Sequence, residues 1–243
     1  MKGTGYRGLA AVGLVVIGAA QFVVVAAAQS EYFLGVFGLV ALVLAAVAWR
    51  FDRWFGTAPA AIGAVLMLAQ GAFMVPSLGR FASGLEFFWS WMTLTTSVFV
   101  LVFALADLAA RKRHASGRPG PAVVRAFAGV TVAIVIAGAA SGIATVTNRS
   151  TVSASDRQGA IEVTYKDVAV VQKQIAVKAG EPVRIVVDNK DVVYHDFDVK
   201  GQEINIGLNP KESKIVAFTI ATPGSYTYRC TVHPEMKGTL VVR

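Results

Sequence analysis

The sequence predicts two folds in one chain: an N-terminal α-helical transmembrane bundle of about five spans, residues 1–146, and a C-terminal all-β Greek-key sandwich, residues 160–243. A polar linker, residues 147–159, joins them. Three observations carry this reading. Of 243 residues, 55% are hydrophobic and only 16% charged, against roughly a quarter charged in an ordinary soluble domain. The apolar residues before residue 147 gather into runs of roughly 20, the length a bilayer core requires. Beyond residue 160 these runs give way to short alternating stretches rich in Val, Ile, Thr and Tyr, punctuated by turn residues.

The five apolar segments cover residues 8–28, 32–49, 58–78, 87–110 and 122–146. None shows the polar stripe of a soluble amphipathic helix. Lys and Arg near span ends are retained in the cytoplasm. Lys2 and Arg7 precede the first span, Arg50 and Arg53 follow the second, and Arg111, Lys112, Arg113 and Arg118 follow the fourth, with Arg125 just beyond. The alternate breaks hold Ser30 with Glu31, and Arg80 with Glu86. This asymmetry predicts a multi-pass protein of the cell membrane with a cytoplasmic N-terminus and an extracytoplasmic C-terminal domain. Cleavage of the first segment as a signal peptide, after Ala26-Ala27-Ala28, would leave the C-terminal domain on the same side.

The charge of +8 fits this account, since +7 of it lies before residue 160. It orients helices in the bilayer and points to no nucleic-acid partner. Within the spans, Gly138-Ala139-Ala140-Ser141-Gly142 is a small-residue pattern that permits close helix approach, and oligomerisation is left open. Met67 and Met74 lie seven apart, a spacing for packing or for passage of soft Cu(I) ions, with packing preferred. Gln21, Gln70 and Asp107 are the polar candidates inside spans, although Asp107 can meet Arg111. His114 belongs to a basic loop, so no histidine lies within a span to ligate a membrane haem. The Ser- and Thr-rich linker reads as a flexible tether.

In the sandwich, strands are expected at residues 160–166, 174–177, 182–188, 195–199, 203–206, 213–220, 224–228 and 238–242. Turns at residues 179–182, 188–191, 209–210 and 223–224 separate them, and the spacing suggests an antiparallel Greek key.

The single cysteine, Cys230, rules out intrachain disulfides, zinc ribbons and CxxC redox pairs. The tail holds two histidines, His195 and His233. A strand ends at Cys230, one tight loop carries His233 and Met236, and a strand restarts at Gly238. His195 opens a strand that closure of the sandwich could bring beside this loop. Two imidazoles and a thiolate with a weak thioether form a blue-copper electron-transfer site. Thiolate and thioether favour Cu(I), imidazole suits both oxidation states, and zinc, which rarely takes thioether, is the weaker alternative.

The run Pro223-Gly224-Ser225-Tyr226-Thr227-Tyr228-Arg229-Cys230, the C-x-x-H-x-x-M loop from Cys230 to Met236, the strand Gly238-Thr239-Leu240-Val241-Val242 and the upstream His195 resemble the cupredoxins, of plastocyanin and amicyanin type. The short loop resembles the amicyanin type more. The resemblance covers most of residues 160–243, about a third of the chain. It implies a cupredoxin-like sandwich holding one type 1 copper per chain through His195, Cys230, His233 and Met236, with His233 nearest the surface as electron port. One departure stands out: Asp196 occupies the position after the first histidine where many of these proteins carry Asn, and a carboxylate, unlike an amide, cannot donate to the surroundings of the ligands.

The function expected is that of a membrane-anchored blue-copper protein passing single electrons between redox partner proteins, without catalysis. Multicopper oxidases and copper nitrite reductases need further histidines, and a dinuclear centre of the oxidase type needs two cysteines. The alternative is a copper-binding module for acquisition, delivery or sensing, with the spans assisting copper handling. A metal-free interaction domain fits four intact ligands poorly.

Overall fold

A computed structural model describes residues 5–28, 32–51, 54–113 and 117–243. Lys2, Ser30, Glu31, Arg53 and His114 lie outside the described residues. The chain forms two compact units, Met1–Ser141 and Gly142–Arg243.

The first unit is built from α1 (Tyr6–Ala28), α2 (Tyr32–Arg50), α3 (Trp54–Ala72), α4 (Gly84–Lys112) and α5 (Pro121–Thr147), the last of which runs on beyond the unit boundary. All five are long and apolar enough to cross a membrane. The third span departs from expectation. Its helix starts a turn earlier, before Pro59, and stops at Ala72, where a 3-10 turn Val75–Gly79 takes over. Pro76 lacks the N–H an α-helix needs and ends the run. Met74 therefore sits outside the helix that buries Met67 in the bundle core, so the two share no continuous helical face.

The basic breaks meet at one end of the bundle. The Tyr6 N–H donates to the Gly117 carbonyl at 3.0 Å, and the Arg7 guanidinium donates to the Phe51 carbonyl. Near the opposite end the Ser141 hydroxyl donates to the Phe81 carbonyl, and Arg80 lies 3.8 Å from Glu86. Helices α1 and α2 approach closely where Gly18 faces Gly38; a side chain on either would run into backbone of the other. Gly138 makes a similar approach to Phe88, whereas Gly142 has open space around it. The polar residues within spans find one another. Trp89 donates to Gln21 and Gln21 to Gln70, both at 2.9 Å, while Asp107 accepts from Thr57 and Arg111 at 2.6 Å. Mutual hydrogen bonding thus ties these side chains together in an apolar setting, with the Gln70 Nε2 left unpartnered among the described residues.

The second unit is a sandwich of two sheets. Its strands are β1 (Ile161–Lys166), β2 (Ala169–Val170), β3 (Gln174–Val177), β4 (Val183–Asn189), β5 (His195–Val199), β6 (Ile204–Leu208), β7 (Ser213–Phe218), β8 (Gly224–Arg229) and β9 (Lys237–Val242). One sheet has the order β2-β1-β4-β7 and the other β3-β9-β8-β5-β6. The ladders are not all antiparallel: β1 runs parallel to β4, and β3 to β9. The chain leaves the first sheet after β2, adds β3 to the second, and returns as β4 beside β1 in the same direction. Alternating side chains from both sheets fill the interior, with Tyr165, Ile185, Val187, Phe197, Tyr228 and Leu240 buried. The Phe197 and Tyr228 rings stack at 5.6 Å. Tyr228 stands opposite Gly238 across β8 and β9, and its ring occupies the space a Cβ at 238 would need.

Within the second unit, residues 150–157 are tied to the sandwich. The Ser213 N–H donates to the Ser150 carbonyl at 2.9 Å, and the Ser150 N–H donates to Glu212 at 3.1 Å. Ser153 caps a single helical turn, Ala154–Arg157. Arg157 then grips the Asp188 carboxylate with two hydrogen bonds of 2.8 and 2.7 Å.

Candidate metal centre

Sheet register brings the four sequence candidates to one end of the sandwich. Strands β5 and β8 are antiparallel neighbours, with Asp198 opposite Arg229. The start of β5, His195, therefore falls beside the loop that leaves β8 at Cys230. That loop is closed on itself: the Cys230 N–H donates to the Met236 carbonyl and the Met236 N–H to the His233 carbonyl, each at 2.9 Å. His195, Cys230 and Met236 are fully buried, and His233 is partly exposed.

Three donor atoms converge. His195 Nδ1 lies 3.1 Å from His233 Nδ1, and Cys230 Sγ lies 3.7 Å from each. The imidazole rings meet edge-on with centroids 4.8 Å apart. Among the described residues, His195, Cys230 and His233 form the group able to hold a metal ion, and Met236 contributes a buried thioether at the base of the same loop.

The electrostatics suit a cation. Burial, reinforced by the neighbouring His195, pushes His233 down to about 4, so its imidazole is neutral at physiological pH. Burial pushes the Cys230 thiol up to about 12, while backbone N–H groups of Asp196, His233 and Val232 favour the thiolate. A thiol so placed becomes a thiolate at neutral pH by binding a metal. Two imidazoles, one latent thiolate and one thioether match a borderline-to-soft ion such as copper.

Residues that the sequence left unassigned complete the site. Asp191 Oδ2 accepts from His195 Nε2 at 2.9 Å. A carboxylate can only accept, so the contact orients His195 with Nε2 as the donor and turns Nδ1 toward His233 and Cys230. The Tyr165 ring packs edge-on against His195, and its hydroxyl donates to the Asp196 carbonyl at 3.1 Å. Asn189 donates to the Val193 and Asn209 carbonyls, which shapes the loop that delivers His195. The only sequence signal was the turn cluster Asp188-Asn189-Lys190-Asp191. Asp196 bridges the two ligand segments with its carboxylate, accepting from the Thr231 N–H and the Thr231 hydroxyl at 2.5 Å each.

The Cupredoxin-like domain family matches residues 125–242, a range that begins inside α5. Amicyanin of Paracoccus versutus is 32% identical over 103 residues, 40% of this chain and 76% of amicyanin. Among solved structures, dithionite-reduced auracyanin of Roseiflexus castenholzii is 22% identical with a TM-score of 0.32, covering 35% of this chain and 96% of its own. Auracyanin A, a "blue" copper protein of Chloroflexus aurantiacus, is 24% identical with a TM-score of 0.31, covering 35% and 98% respectively.

Proposed function

The chain belongs to the cupredoxins, and from that premise we propose that it is a membrane-anchored blue-copper protein carrying single electrons on the extracytoplasmic side. The observation that carries the reading is the convergence of His195 Nδ1, His233 Nδ1 and Cys230 Sγ within 3.7 Å of one another. His195, Cys230 and His233 would hold one type 1 copper, with Met236 as the weak axial thioether. When bound, copper supplies the one-electron Cu(II)/Cu(I) couple. The protein's part is to keep the donors still. Both ligand segments are cross-linked through Asp196 and Thr231 and seated on sheet strands, so little rearranges when the charge changes. His233, the partly exposed donor, is the port for electrons to and from redox partner proteins. Residues 160–243 form the copper domain, residues 147–159 the linker and residues 1–146 the membrane domain, with basic loops on the cytoplasmic side.

Both tail histidines and the lone cysteine belong to this one site, which supports electron carriage over catalysis. The test is to purify the full chain in detergent, load it with copper, and record its optical and electron paramagnetic spectra. An intense thiolate-to-Cu(II) band with reversible reduction and retention of the metal in both states is expected. A colourless protein with an ordinary tetragonal Cu(II) signal would sink the proposal, and release of Cu(I) on reduction would point to copper delivery.

Met236→Leu tests the axial role. The variant should keep copper and its colour, and favour Cu(I) by about tenfold, a rise of roughly 59 mV for a one-electron couple. Potentiometric titration measures the shift; complete loss of copper binding would contradict a weak axial ligand.

A further inference from the structure

We propose that Asp191 and Asp196 are positioning residues that hold the reduction potential of the copper centre low, each by fixing a carboxylate, partly buried at Asp191 and buried at Asp196, against one ligand-bearing segment. The inference rests on the copper reading above.

Asp191 is surrounded by donors. It accepts from the Asp167 N–H at 2.7 Å, the Val168 N–H at 3.1 Å and His195 Nε2 at 2.9 Å. Asp167 and Val168 both adopt left-handed backbone, with φ of 55° and 52°, a costly conformation for a β-branched residue. The carboxylate that takes both of their N–H groups locks this turn and His195 together. Asp196 is likewise surrounded. Its two oxygens accept from the Thr231 N–H, the Thr231 hydroxyl and, at 3.3 Å, the Asn205 amide. Its own N–H lies against Cys230 Sγ. Three polar partners thus converge on each carboxylate and fix its place beside a ligand-bearing segment.

Apart from His195 itself, no cationic side chain among the described residues is paired with either carboxylate. Among the described residues no Lys or Arg pairs with Asp191 or Asp196: Arg229, the neighbour of Cys230, is bound to Asp198 at 2.9 Å, and Lys190 lies 3.7 Å from Asp188. Cu(II) carries one more positive charge than Cu(I), so a fixed negative charge in a poorly screened interior favours Cu(II) and lowers the potential. A carboxylate on the far nitrogen of a ligating histidine also makes that ligand more basic, in the same direction.

The experiment uses the full chain with Asp191→Asn, Asp196→Asn and Thr231→Val. Both Asn variants should keep one copper and the visible band while favouring Cu(I) about tenfold, a rise of roughly 59 mV each. Thr231→Val strips a donor from the Asp196 carboxylate, leaves its charge less compensated, and should lower the potential. Unchanged potentials in copper-replete Asn variants, or a rise in Thr231→Val, would overturn the proposal.

Should Asp191→Asn lose its metal, nitrogen NMR of 15N-histidine in the metal-free wild type decides. A proton on His195 Nε2 is expected, and a proton on Nδ1 would overturn the role of Asp191. The outcomes remain separable from the copper reading itself. A wild type that binds no copper fails that reading, while the tautomer still reports on Asp191.

Discussion

Cys230→Ser removes the visible absorption altogether and leaves the sandwich folded. The band belongs to charge transfer from a thiolate to Cu(II), and the serine hydroxyl neither ionises at neutral pH nor offers a soft donor. The two imidazoles remain, so the variant binds Cu(II) weakly in a colourless, tetragonal manner. The fold survives because serine is nearly isosteric and its oxygen inherits the backbone N–H groups of Asp196, Val232 and His233 that face the sulfur. Burying that hydroxyl with partners at hand costs about 1 kcal/mol. The loop also keeps its closure, since the hydrogen bonds between Cys230 and Met236 and between Met236 and His233 use main-chain atoms. Absorption spectra at matched copper content, with circular dichroism of the metal-free variant, provide the check. Surviving colour would count against Cys230 as the thiolate ligand, and a metal-free variant that fails to fold would count against serine as an isosteric replacement.

What the sequence reveals of this molecule depends on how local each signal is. The Cys230-to-Met236 loop could be read because its three candidate donors sit within seven residues and its closure is local. The partnership with His195 rests on the β5–β8 register, which periodicity alone does not encode. Alternation likewise identifies a strand and says nothing of its neighbour's direction, so the parallel pairing of β1 with β4 stayed hidden. Strand β2 escaped notice because it has two residues and follows a left-handed turn at Asp167 and Val168, where no glycine marks the turn. The span lengths were legible from apolar runs, yet the end of α3 was set by Pro76 inside one such run. Asp191 was visible only as a turn residue, since its contact with His195 requires the loop around Asn189 to fold first. Arg157 fell in a stretch whose composition suggests a tether, and its partner Asp188 lies 31 residues away.

Arg157→Ala should cost about 3 kcal/mol, because it leaves the buried Asp188 carboxylate with only Ser213 and the more distant Lys190 as partners. Asp188 is almost fully buried, with 5% of its side chain exposed, and takes two hydrogen bonds from Arg157 and one from Ser213. Arg157 first, and Ser213 after it, hold this carboxyl down to about 2 against the opposing effect of burial. The same contact pushes the guanidinium further up. The folded value lies below the usual carboxylate value of 3.8, so the native state favours the ionised form. The resulting stabilisation is complete above pH 4 and is lost as pH falls through 2, amounting to about 2 kcal/mol over that window. The deficit of Arg157→Ala should therefore be largest at neutral pH and shrink as Asp188 becomes protonated. Hydrogen exchange in the full chain reads this directly: amides of β4 and β7, corrected for intrinsic rates, should exchange roughly 100-fold faster in the variant at pH 7. The gap should narrow toward pH 2. Equal exchange in the two proteins at pH 7 would mean that Arg157 rests on the sandwich without holding it, and that the stretch from Ser150 to Arg157 works as a loose tether.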